Sequence, residues 1–82
     1  MKLFEPIIRR WSTVREFASD VGCSAPTAGQ WIHNDSIPAA WFAAVVRAAT
    51  RRGFTEITLD LLADRAEKRR LRREGEKAQE AA

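Results

Sequence analysis

The sequence predicts a compact all-α domain of five helices, the last of them strongly charged. Three observations carry this. Apolar residues recur at helical spacing, most plainly Val14, Phe17, Ala18 and Val21 at i, i+3, i+4 and i+7. Prolines stand where first turns would begin, at Pro6, Pro26 and Pro38, and glycines stand where helices would end, at Gly22 and Gly53. Only residues 54–57 read as extended, a link that admits one brief strand.

The elements follow in chain order. Pro6 suits the first turn of an opening helix, Glu5 to Trp11, with Ile7, Ile8 and Trp11 on its apolar face and Arg9 and Arg10 outside it. Thr13 and Glu16 form the S/T-x-x-E capping box, so a second helix begins at Val14. Gly22 enters the left-handed conformation at low steric cost and turns the chain. Ser24 then caps a third helix, which Pro26 suits in its first turn. There Ala28, Trp31 and Ile32 form the buried face, and Thr27, Gln30, His33 and Asn34 point elsewhere.

Asn34, Asp35, Ser36 and Pro38 make a turn, and Pro38 opens the core helix, Ala39 to Arg52. Trp41, Phe42, Val45, Val46 and Ala49 line one stripe of it. Arg51 and Arg52 favour the negative end of its dipole, and Gly53 ends it with Phe54 as the apolar contact of the cap. Thr58 caps the last helix, where Leu59, Leu62 and Ala66 share a face with Leu61 at its edge. That stripe stops at Ala66, too soon for a coiled coil. Six cations then fall within the nine residues 65–73, and the tail 75–82 is expected to be frayed or disordered.

On these residues the stretch from Val14 to His33 resembles the helix-turn-helix of the lambda-repressor-like (Cro and phage-repressor) DNA-binding family. That pattern asks for a small residue four before the turn glycine, here Ala18, between apolar Phe17 and Val21. It also asks for apolar residues at Cys23, Ala28 and Trp31, and all six places agree. The likeness extends over residues 5 to about 52 in layout and about twenty residues in detail. It implies a DNA-binding domain at 1–57, with 58–74 as a dimerisation and basic helix.

Composition sets the bounds. Eighty-two residues make one domain with a small core. A net charge of +3 and a pI near 9.8 permit a nucleic-acid partner without demanding one. One cysteine allows no internal disulfide and fits a reducing cytoplasm, so a cytoplasmic, nucleoid-associated protein is expected. No apolar run reaches about 18 residues, and MKLFEPIIRR is too short and too charged for a secretion signal, so no membrane partner is expected. Catalysis is not expected either: the lone histidine and lone cysteine stand ten residues apart, and no glycine-rich phosphate loop follows a strand. His33 lacks companions for a metal, and no cofactor is implied.

The resemblance makes double-stranded DNA the expected partner, read by the second helix of the motif in the major groove. Its outward positions are Ser24, Ala25, Pro26, Thr27, Gly29, Gln30 and His33. Gln30 leads, because its amide can pair bidentately with adenine. His33 and Thr27 are donors to a base or phosphate, Ala25 and Pro26 suit a thymine methyl, and Gly29 allows close approach. Ser24 and Asn34, with Lys2, Arg10 and Arg15, are candidates for phosphate. The reading helix holds no arginine or lysine, so affinity must come from these cations, from Arg51 and Arg52, or from the C-terminal cluster. Such domains act as dimers on two-fold sites, and Leu59, Leu61 and Leu62 are the expected homodimer contact. A transcriptional repressor of the phage type is therefore expected. Two alternatives stay open: a protein-interaction module, such as an antitoxin or adaptor, and an architectural protein that binds DNA without sequence preference.

Overall fold

A computed structural model describes the backbone of residues 2–81 and the side chains of residues 2–75. Among these residues the chain forms five α-helices and no strand: α1 Glu5–Ile8, α2 Val14–Val21, α3 Ala25–Asn34, α4 Phe42–Arg52 and α5 Leu59–Ala81. A 3-10 turn, Ala39–Trp41, leads into α4.

The caps follow from the residue types. Thr13 Oγ1 accepts the Glu16 N–H at 3.1 Å, which supplies one half of the expected capping box. Ser24 Oγ accepts the Thr27 N–H at 3.2 Å, and Thr58 Oγ1 accepts the Leu61 N–H at 3.1 Å. Gly22 ends α2 at φ +94° and Gly53 ends α4 at φ +79°, where a side chain would be strained. Beyond Gly53 the Phe54 N–H donates back to the Ala49 carbonyl at 2.9 Å, and the Phe54 ring docks on Trp11.

Three expectations are corrected. The opening helix ends at Ile8 instead of Trp11, because Arg10 and Trp11 donate to the Ile7 and Ile8 carbonyls three residues back, in tight turns. This swings the Trp11 indole inward, with its ring centroid 5.0 Å from both Phe17 and Phe54. The core helix starts later than Ala39, after the 3-10 turn that brings Trp41 to 5.5 Å from Trp31. Residues 54–57 form a turn closed by the Ile57 N–H on the Phe54 carbonyl at 3.2 Å, so the brief strand is absent. Of the expected tail 75–82, the α5 backbone continues to Ala81, and the side chains of 76–82 lie outside the described residues.

One core joins these elements. α2 packs on α3 and on α4, α1 closes over α3, and α5 lies against α4. Trp11, Phe17, Trp31 and Trp41 form a chain of aromatic contacts in edge-to-face and tilted pairs through the middle. Leu62 is fully buried beneath it and is part of the monomer's own core, so it is not available for the dimer contact expected of it. Leu61 is half-buried and Leu59 is 53 % exposed, which leaves these two of the three at the surface.

Two carboxylates fasten the assembly. Asp35 ends α3 in the left-handed conformation at φ +51°, and its carboxylate accepts the Leu3 and Phe4 N–H groups at 2.8 Å and the Glu5 N–H at 3.2 Å. The free donors at the start of α1 are thus satisfied from 30 residues away. Burial works to raise the Asp35 pKa, but these three N–H groups, helped by Lys2, outweigh it and hold the carboxyl below its ordinary 3.8. Asp20 takes both Arg52 Nε at 2.6 Å and Arg52 Nη2 at 3.2 Å, and its Oδ2 also accepts Trp11 Nε1–H at 2.9 Å. Hydrogen bonds from Arg52 and Trp11 lower its pKa as well.

Both carboxylates are more acidic folded than free, so their stabilisation is full above the ordinary 3.8 and is lost as pH falls through the lower native values. Thermal melting from pH 7 to pH 2 is therefore expected to show an acid limb, made shallower by Asp35→Asn. Asp35→Ala loses the cap and strains the left-handed turn, and is expected to cost roughly 2 kcal/mol in urea unfolding at neutral pH.

Candidate nucleic-acid interface

The candidate surface is the outer side of α3. Its position is set by burial on the inner side: Ala28 is completely covered and Trp31 is 6 % exposed, wedged between Phe17 and Trp41. Once these are fixed inward, the 3.6-residue repeat sends Pro26, Gly29, Gln30 and His33 outward, and all four are exposed. They fall at i, i+3, i+4 and i+7, one stripe along the helix, next to exposed Asn34 at its end. Among the described residues none of their side chains takes part in a hydrogen bond or ion pair within the fold.

Other expected contacts are partly engaged. Ala25 and Thr27 are half-buried. Ser24 is exposed, but its hydroxyl donates to Thr27 Oγ1 at 2.8 Å as well as capping the helix. Cys23 is half-buried at the turn, and burial pushes its thiol pKa up, the direction of an unreactive thiol.

Gly29 has a local meaning. A Cβ built there meets nothing within 4 Å, and its φ is not positive, so neither packing nor backbone geometry requires glycine. In mid-helix it costs about 1 kcal/mol relative to alanine. Its effect is a gap in the exposed stripe beside Gln30.

No family model, no curated protein and no solved structure matches this chain. The residues themselves must carry the functional argument.

The cations divide into two groups. Arg10, expected at phosphate, is paired with Glu56 and lies 4.3 Å over the Phe54 ring, so it ties the opening segment to the α4–α5 turn. Arg9 pairs with Glu5. Arg51 donates to the Asp20 carbonyl at 2.8 Å and Arg52 forks onto its carboxylate, so this pair joins α4 to α2. Lys2, Arg15 and Arg47 are exposed and make no ion pair among the described residues.

Sequence reasoning placed Arg69 only within the 65–73 cation cluster and did not link it to α3. Its Nη2 donates to the Asn34 carbonyl at 3.5 Å, which brings this one α5 side chain to the end of α3. The residues are 35 apart, and no local pattern links them. The role of Asp35 was equally hidden, although an aspartate just past a helix end is a residue type that tolerates the left-handed turn. Among the described residues no group of three or more His, Cys, Asp or Glu could hold a metal, and no helix is long and apolar enough to cross a membrane.

Gly29→Ala is expected to raise stability by about 0.5–1 kcal/mol in chemical denaturation. A loss of stability would mean that the glycine serves the fold.

Proposed function

We propose that this chain binds double-stranded DNA sequence-specifically as a homodimer and regulates transcription, acting as a repressor of the phage type on a palindromic operator. The observation that carries the reading is the split character of α3: Ala28 and Trp31 buried, and Pro26, Gly29, Gln30 and His33 aligned on the opposite side, exposed and without partners in the fold. A helix of this width fits the major groove, where base edges are read by hydrogen bonds from neutral amides as well as from arginine. Gln30 reads adenine through its two-pronged amide, and His33 donates to a base or a phosphate. Pro26 and half-buried Ala25 offer carbon to a thymine methyl, with Thr27 beside them. Gly29 lets the duplex approach the α3 backbone.

Affinity and sequence preference come from different groups. Lys2 and Arg15 are exposed and suit phosphate, as do the polar groups of Ser24 and Asn34. A single α3 spans too few base pairs for selectivity, so two copies on half-sites about 34–36 Å apart complete the site. Leu59 and Leu61 are the surface leucines that suit the contact between copies.

Fluorescence anisotropy of labelled duplexes tests this directly. DNA from upstream of the gene is expected to bind well over tenfold tighter than a scrambled duplex at the same salt concentration; a smaller ratio removes the reading. Gln30→Ala is expected to reduce discrimination at one base-pair position by roughly 5- to 150-fold, the equivalent of about 1–3 kcal/mol, with unchanged melting. Gly29→Ala is expected to weaken binding while it stabilises the fold.

A further inference from the structure

We propose that α5 is a second DNA-contacting element, with the guanidinium groups of Arg69 and Arg73 holding backbone phosphates beside the C-terminal end of α3. This rests on the DNA-binding reading of α3 and identifies where much of its missing positive charge resides.

The stripe on α3 carries neither lysine nor arginine, and phosphate neutralisation dominates affinity for DNA. Arg9, Arg10, Arg51 and Arg52 are held by Glu5, Glu56 and Asp20. The largest remaining concentration of cations lies on α5.

Geometry then selects two of them. Arg69 is half-buried and reaches the Asn34 carbonyl, so its head group sits at the end of α3. That end carries the partial negative charge of the helix dipole and, bare, would repel a phosphate strand bordering the groove. Arg69 replaces the repulsion with a cation. Arg73 stands one turn further along the same side of α5, exposed, and makes no ion pair among the described residues. Arg70 lies between them but is paired with Glu74 at 2.9 Å, which cancels its charge locally.

The surface between α5 and the α3 end is also shaped for a strand. Arg69, Arg70 and Arg73 border an open groove of about 380 Å³ that is also lined by Phe4, Ile37 and Ala66. A lining of guanidinium groups beside carbon suits a sugar-phosphate backbone, which carries anionic oxygens next to deoxyribose carbon. Glu74 borders the same groove and is paired with Arg70. The contact carries no base information; it sets affinity and register.

The test is the salt dependence of DNA binding by the full chain. Log Kobs is plotted against log salt on the upstream and scrambled duplexes for wild type, Arg69→Gln, Arg73→Gln and the double variant. Each substitution removes one phosphate contact from each subunit of the dimer and is expected to make the slope shallower by about 1.8, so the double variant loses on the order of 100-fold less affinity than wild type between 50 and 200 mM salt. The preference for the upstream duplex should persist, and Arg73→Lys should restore the slope. Among the described residues Arg73 makes no hydrogen bond or ion pair to α3, so its variant separates charge from any shift of the reading helix; circular dichroism and melting verify the fold.

An unchanged slope in the double variant, with upstream preference retained, overturns the α5 contact and leaves the α3 reading standing. Equal binding to both duplexes with a shallower slope in the variants supports the α5 contact and removes the sequence-specific reading. No binding to either duplex overturns both.

Discussion

The junction at Asp35 holds the candidate surface in place. A single carboxylate, placed by a left-handed turn at the end of α3, accepts three N–H groups from the start of α1. α1 has only four residues and no side-chain cap of its own, so it lacks the length to persist alone. Asp35 makes its first turn part of the α3 end, and Phe4, Ile7 and Ile8 are thereby fixed in the core. The bond also works in reverse: it ties the C-terminal end of α3 to the start of α1, next to the stripe α3 presents to solvent.

Charge is distributed by the same logic of fastening. A chain with fourteen lysines and arginines looks rich in DNA-binding groups, yet several are structural. Asp20 gathers Trp11, Arg51 and Arg52, and so joins the opening segment, α2 and α4 at one point. Arg10 covers Phe54 and reaches Glu56. These pairs are exposed or partly exposed, and such pairs each add little stability in water. Their consequence for function is larger, because they engage three guanidinium groups that a phosphate backbone could otherwise use. The cations of α5 gain weight accordingly, since one of them is tied to the end of α3.

Much of the architecture was legible from the residues. The apolar repeat at Val14, Phe17, Ala18 and Val21 yields α2, and Thr13, Ser24, Thr58, Gly22 and Gly53 act at the helix ends as their chemistry directs. These are short-range effects, settled within about four residues. Residues 9–11 read as helix for a comparable reason: their apolar spacing fits, but the pull on Trp11 comes from Phe17, Asp20 and Phe54. A distant attraction overruled a local preference. Leu62 illustrates the same limit, since an apolar face on a helix does not say whether it meets its own core or another chain.

The sequence by itself determined where α2, α3 and α5 begin and where α2 and α4 end, which face of α3 carries Ala28 and Trp31, and therefore that Gln30 and His33 share the other face. Those properties depend on backbone periodicity and on capping groups a few residues away. Only the tertiary structure decided which arginines are already engaged, that Asp35 closes α1, and that Arg69 lies at the end of α3. The physical reason is that a charge finds its partner by distance in space, and residues 30 or more positions apart become neighbours only when the core has packed.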